Sequence, residues 1–252
     1  MKAYSLEAFD AALDAVGIVP GDAVMVHAAL FPLGRLTGVA FDAIAATLAE
    51  RLMHRLGPDG TVVVPIYNYD NIDFFKHYTL RQMGPLAEYV AALPQARRTW
   101  HTIFSLAAVG RLAQGMAACD ALSAYAVDGP FEYLLAQGAK VLLLGTGVSA
   151  ASVLHVAEER VAVPYRYWVE FPGERPAPGG GMEPVPYRMF VRDLDRYPSL
   201  RLDLVADWLR EDGALRSVPL GGGKVTACSF AAYVDAVTVR LRERPGALVS
   251  AD

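Results

Sequence analysis

Three short runs of unbroken apolar character constrain this chain most: "AVMVH" from Ala23 to His27, "TVVVP" from Thr61 to Pro65, and "KVLLLG" from Lys140 to Gly145. Side chains alternate across a strand, so a strand apolar at every position must be covered on both faces. Between these runs lie stripes at helical spacing. Leu6, Phe9, Leu13 and Val16 mark one helix face that Gly17 can end, and Phe41, Ile44, Leu48 and Leu52 mark another that stops at Gly57-Pro58. Phe131, Leu134 and Leu135 lie on a short helical segment closed by Gly138, a helix is expected from Ser149 to Glu159, and two more begin near Ser199 and Ser229. The expected fold is α/β: a three-layer α/β/α sandwich with a central mixed, mostly parallel sheet. Residues 1–252 read as a single domain, with Gly173 to Pro186 as a surface loop or hairpin turn between "YRYWVEF" and "YRMFV".

Composition narrows the function classes. A net charge of −4, with no contiguous basic run, argues against nucleic acid as a partner. Cys119 and Cys228 stand far apart with no metal-ligand spacing, so no disulfide scaffold and no metal site is expected. The N-terminal segment is polar and amphipathic, and no stretch reaches the roughly 18 apolar residues of a membrane span, so a soluble cytoplasmic protein is expected.

Among the five histidines, His155 stands out because it opens a helix after the strongest buried strand, where its ring can face the crevice at the strand's carboxyl end. Ser152 lies three residues before it, Glu158 three after and Glu159 four after, so a carboxylate can share its helical face and keep the imidazole basic. The spacing fits an ordinary first-turn helix equally well. Gly145, Gly147 and Ala150 fit GxGxxA, a dinucleotide fingerprint, but the ribose-binding acid expected about 20 residues on is missing. The glycines fit better as a tight turn with close backbone approach at a helix start. GxSxG, GxxxxGK[ST] and HExxH are absent.

Taken in order, several blocks resemble the aminoglycoside 3-N-acetyltransferase family. They are "VHAALFPLG" (Val26 to Gly34), "LGPDGTVVVP" (Leu56 to Pro65), "RRTWHTIFSLAAVG" (ending at Gly110), "YAVDGPFEYLLAQGAKVLLLG" (Tyr125 to Gly145) and "SVLHVAEERVAVPYRYW" (Ser152 to Trp168). The likeness runs over roughly residues 5 to 245, with "GGGKVTACSFAAYVDA" similar to the family's C-terminal segment. It implies the fold of that family and acetyl-CoA as cosubstrate, with acetyl transfer to an amine of an aminosugar-containing acceptor. By the same resemblance His155 and Glu158 match the family's "LHxAE", while His101 and Ser105 match "HPxxSxxAxG". Asp128 matches a polar position before the family's "SP" and is a second candidate to orient a histidine. Catalytic candidates are therefore His155, Glu158, His101 and Asp128. Candidates for holding the cosubstrate are His27, Ala28, Ala29, Leu30, Gly34, Ser105, Gly145 and Gly147.

The chain departs from the family pattern at Ala29, where "VHxSL" has serine, at Val39, where a second glycine is expected, and at Thr102 and Gly129. Tyr67, Tyr69, Phe74, Phe75 and Tyr78 could wall an acceptor cleft or bury a homodimer interface, and Asp70, Asp73, Glu170 and Glu174 could meet a cationic acceptor. The leading expectation is direct acetyl transfer to a primary amine with His155 as general base, Glu158 or Asp128 fixing its tautomer, and main-chain N–H groups near Gly145 to Ser149 facing the carbonyl oxygen. An amine on some other sugar or metabolite ranks above a drug-type aminoglycoside as acceptor. The alternatives are a non-catalytic binding or assembly protein on the same scaffold and, less favoured, an NAD(P)-dependent oxidoreductase.

Overall fold

The computed structural model describes residues 2–68 and 83–250. Its main sheet is built from β2 (Ala23–Ala28), β4 (Thr61–Pro65), β5 (Arg97–Arg98), β6 (Leu106–Gly110), β7 (Lys140–Leu144), β10 (Arg216–Leu220) and β11 (Gly223–Ser229), in the order β10-β11-β7-β2-β4-β6-β5. Two short strands, β1 (Ala3–Tyr4) and β3 (Arg35–Leu36), pair separately in parallel. Only β7–β2 and β2–β4 are parallel in the main sheet; β10–β11, β11–β7, β4–β6 and β6–β5 are antiparallel.

This corrects the expectation of a mostly parallel sheet. The three apolar runs do lie side by side at the centre in parallel, but the flanking strands turn back on them. An unbroken apolar run records cover on both faces and carries no information on direction. Buried antiparallel β6, with Leu106, Ala107 and Ala108 all inaccessible, reads in the sequence much as a parallel strand does.

Helices flank both faces. Along β2, Ala23 and Met25 join one buried cluster, while Val24 and Val26 join the other. The second cluster takes the stripes of α1 (Leu6–Ala15), α3 (Ile44–Leu56) and α4 (Pro85–Ala91), with α2 (Leu30–Leu33) at the end of β2. Phe9, Leu13, Leu48 and Leu52 are fully buried there, each contributing about 1.5–3 kcal/mol of apolar transfer. Ser5 caps α1 by accepting from the Ala8 N–H, and Gly17, at φ +81°, follows its end. The first cluster takes α5 (Ala113–Ala117), α6 (Pro130–Ala136), α7 (Leu154–Val161), α8 (Asp203–Glu211) and α9 (Phe230–Glu243). None of the helices among the described residues is long and apolar enough to cross a membrane.

Two boundaries differ from expectation. The helix read from Ser149 to Glu159 is a single 3-10 turn over Val148–Ala150, a break, and then α7. The Pro/Gly segment is mostly strand: β8 (Arg166–Pro176) and β9 (Met182–Arg192) form a long antiparallel ribbon with residues 177–181 as its turn. A two-stranded ribbon has outer edges where a missing N–H costs no ladder bond, so Pro172, Pro176, Pro184 and Pro186 are accommodated. Phe171, Val185, Tyr187, Met189 and Val191 bury the ribbon's inner face. Gly173 allows the ribbon to close on the loop before β6, since a Cβ there would lie 2.2 Å from Thr102 Oγ1 and 2.6 Å from the Tyr187 ring.

Candidate active site

Helix α7 brings His155 and Glu158 onto one face at i, i+3 spacing, with His155 Nδ1 2.6 Å from Glu158 Oε2. Glu158 is completely buried, yet its other oxygen is also engaged: the Tyr165 hydroxyl donates to Oε1 at 2.8 Å, and Arg166 Nε lies 2.9 Å from the same atom. Tyr165 follows α7 and Arg166 opens β8, so the turn after the helix folds back to hold the carboxylate. Burial alone would raise the Glu158 pKa; the Arg166 charge and the bonds from His155 and Arg166 outweigh it and bring the carboxyl down to about 2.

An ionised Glu158 can only accept, so His155 donates from Nδ1. Burial draws the imidazole below its usual value, Arg166 pulls the same way, and Glu158 opposes both. The result is a neutral ring with its lone pair on Nε2, its side chain 22% exposed.

Aromatic rings surround that imidazole. Tyr125 packs edge-on at 5.0 Å, Phe104 lies at 5.9 Å, and Tyr67 meets Phe104 at 5.0 Å in a T-shaped contact. The chain beyond β4 stays bonded to the loop before β6, through Ile66 N–H to Ser105 O and Asn68 N–H to Ile103 O, which carries Tyr67 to this position. The Tyr67 hydroxyl is bonded to Ser152 Oγ and also to Tyr125. Burial raises the Tyr67 pKa, so its hydroxyl stays neutral beside the imidazole.

His101 also lies 5.9 Å from the Phe104 ring. Its Nδ1 accepts the N–H groups of Ile103 and Phe104 at 3.2 and 3.0 Å, and its Nε2 donates to Arg188 O at 3.3 Å. Burial lowers its pKa to about 4. Ser105 is buried beneath it, donating to His101 O at 2.6 Å and accepting from Arg98 at 3.2 Å. Asp128 is exposed on the turn before α6, and its charge is felt at Cys119. The carboxylate on His155 is that of Glu158.

The candidates at the strand ends divide in two. Ala28 pairs with Leu144, Ala29 donates its N–H to Leu144 O at 2.8 Å, and Leu30 starts α2 against the second cluster. Gly145, at φ +68°, sits where a Cβ would be 2.2 Å from Ala29 O; Gly34, at φ +98°, sits where one would be 2.1 Å from Lys2 O. Both glycines therefore serve backbone crossings. His27 is buried near the end of β2 opposite Leu143, its Nε2 has no hydrogen-bond partner among the described residues, and burial brings its pKa to about 4. Gly147 borders a cavity of about 490 Å³, together with Val148, Ser149, Lys224 and Thr226. The N–H groups of residues 146–149 make no hydrogen bond among the described residues.

Glu170 and Glu174 are exposed on β8. Tyr69, Asp70, Asp73, Phe74, Phe75 and Tyr78 lie outside the described residues. Among the described residues no group of three His, Cys, Asp or Glu side chains could hold a metal ion. Burial raises the Cys228 thiol to about 12, so it packs as a small apolar group. Tyr165, Arg166 and the Tyr67–Ser152 bond were not identified in the sequence as parts of the site, although "VPYRYW" adjoining "LHVAEE" was the place to look.

The structure thus joins an imidazole to a buried carboxylate on an α/β scaffold. The aminoglycoside 3-N-acetyltransferase family signature matches residues 25–242. Aminoglycoside N(3)-acetyltransferase III of Salmonella sp. is 30% identical over 199 residues, covering 70% of this chain and 67% of that protein. Aminoglycoside N(3)-acetyltransferase VIII of Streptomyces fradiae is 27% identical over 206 residues, 73% of this chain and 68% of the relative. In structure, aminoglycoside acetyltransferase AAC(3)-Xa superposes with a TM-score of 0.81 at 22% identity over 96% of this chain and 93% of its own. AAC-IIIb in its binary complex with CoASH gives 0.76 at 22% identity over 96% and 97%. The scaffold is thus that of acetyl-CoA-dependent acetyltransferases. The chain belongs to the aminoglycoside 3-N-acetyltransferase family.

Proposed function

We propose that this chain transfers an acetyl group from acetyl-CoA to a primary amine of an aminosugar-containing or related small molecule, directly and with His155 as general base. The observation that carries the reading is the 2.6 Å contact between His155 Nδ1 and buried Glu158, whose carboxyl the Arg166 charge holds below the usual carboxylate range. An amine is protonated near neutral pH and cannot attack until it loses a proton, and a neutral imidazole with a free Nε2 can take it. Glu158 fixes the tautomer and stabilises the imidazolium that forms, while Tyr165 and Arg166 keep Glu158 in place.

Acetyl-CoA, when bound, supplies the thioester carbonyl. Negative charge developing on its oxygen calls for donors; the N–H groups of residues 146–149, unbonded among the described residues, and the neutral Tyr67 hydroxyl are candidates. Phe104 and Tyr125, both buried, pack on the imidazole and exclude water from it, and the partly exposed Tyr67, edge-on to Phe104, has ring surface suited to a sugar face. His101 and Ser105 hold the loop that carries Phe104.

Thiol release from acetyl-CoA, screened against simple aminosugars, nucleotide-linked aminosugars and aminoglycosides, tests the reading. Replacing His155 by Ala should lower kcat by roughly 10²–10⁴-fold with acetyl-CoA affinity retained. Unchanged turnover in that variant would remove His155 from the chemistry.

A further inference from the structure

Helix α7 carries a second carboxyl that the acetyl-transfer chemistry leaves unused. Glu159 follows His155 by four residues, about 6 Å along the helix axis at 1.5 Å per residue. Ser123 Oγ donates to its Oε1 at 2.6 Å. Ser123 and Tyr125 belong to one stretch of chain ahead of α6, and Tyr125 packs on the His155 ring at 5.0 Å. That stretch therefore lies along α7 with one contact at His155 and another at Glu159.

The charged groups facing Glu159 are Glu158 on its own helix, Arg166 on β8 and Arg188 on β9. Neither arginine forms an ion pair with it. Arg166 is committed to Glu158 at 2.9 Å, and the Arg188 guanidinium stacks 4.4 Å from the Trp168 ring centroid. Glu159 is half-buried with one neutral hydrogen bond and no cation against it among the described residues. The other two carboxylates of this region, Glu158 and Glu132, are both paired with arginine.

We propose that Glu159 is a specificity-determining residue: its carboxyl, backed by Ser123 one helical turn from His155, receives a positively charged group of the acceptor. Preferred acceptors then carry a second cationic amine beside the nitrogen that is acetylated. Burial is the largest influence on the unoccupied carboxyl and raises it to about 7, with the Ser123 bond and Arg188 opposing, so part of the population is protonated at neutral pH. A cation arriving at Glu159 favours the ionised form and expels that proton. The inference rests on the proposed amine acetylation.

Two measurements test it with the full chain. In steady state, Glu159→Gln keeps the shape and the Ser123 bond but loses the charge. Its kcat/KM for 2,6-diamino-2,6-dideoxyglucose should fall roughly tenfold further than that for glucosamine, through KM rather than kcat. Without acetyl-CoA, calorimetric binding of the diamino sugar at pH 7 in buffers of different ionisation enthalpy should show proton release in the wild type that Glu159→Gln abolishes. Equal losses on both sugars, or proton release unchanged by the substitution, would overturn the role of Glu159. If the wild type acetylates neither sugar, the acetylation reading fails on that ground, and the calorimetry still decides whether Glu159 binds the cation.

Discussion

His101 and His155 lie near the same ring, Phe104, each at 5.9 Å, and burial lowers the pKa of both. They differ in what they are bonded to. Main-chain groups occupy both nitrogens of His101, so the ring ties the loop before β6 to the β8–β9 ribbon and has no nitrogen left for a substrate. His155 has one nitrogen on a carboxylate, and the other makes no hydrogen bond among the described residues. Burial and aromatic company are common to both histidines; the division of its two nitrogens is what sets the proposed base apart.

Three experiments can break or sharpen that contrast, beginning with the largest effect. Glu158→Gln should lower kcat by roughly 10²–10⁴-fold, since Nδ1 loses the acceptor that fixes the tautomer. It should also destabilise the fold by about 3–5 kcal/mol, because the buried Arg166 loses its counter-ion. Retained kcat in a folded variant would erase the distinction between the two histidines.

His101→Ala should act mainly on stability. It strands the buried N–H groups of Ile103 and Phe104, costing about 1–3 kcal/mol for each left unsatisfied, and denaturant titration reads the loss directly. A kcat reduced as far as in the His155 variant, with stability intact, would put His101 in the chemistry instead.

The pH profile is the subtlest separation. The base must be neutral to act, so kcat falls as pH drops through the pKa of His155, and the acid limb should lie below 6.5. Glu158 raises that pKa, so in Glu158→Gln the residual activity should show a limb moved to still lower pH. His101→Ala should leave the limb where it was. A limb that follows His101 would reverse the assignment.

Part of this architecture was legible in the residues. The strands at 23–28, 61–65 and 140–144 lie where unbroken apolar runs placed them, and the stripes of α1 and α3 face the core as their spacing required. The flanking strands were harder to read: β5 is two exposed arginines, and β10, with Pro219 inside it, is mostly outside the core. Prolines made the far part of the β8–β9 ribbon, Gly173 to Pro186, resemble a loop or a hairpin turn, because isolated residues do not say whether a strand has a free edge.

The site divides in the same way. Helical periodicity alone puts His155, Glu158 and Glu159 on or beside one face, since i, i+3 and i+4 neighbours meet in any α-helix. Which of the two glutamates takes the imidazole, which stays without a cation, and which histidine is locked by main chain were decided by groups remote in the sequence: Arg166 from β8, Ser123 from the loop before α6, and the Arg188 carbonyl from β9. Strand direction has the same origin. Local pattern records what a residue must bury, whereas direction, pairing and charge depend on which distant segments arrive beside it, and only the packed chain fixes those distances.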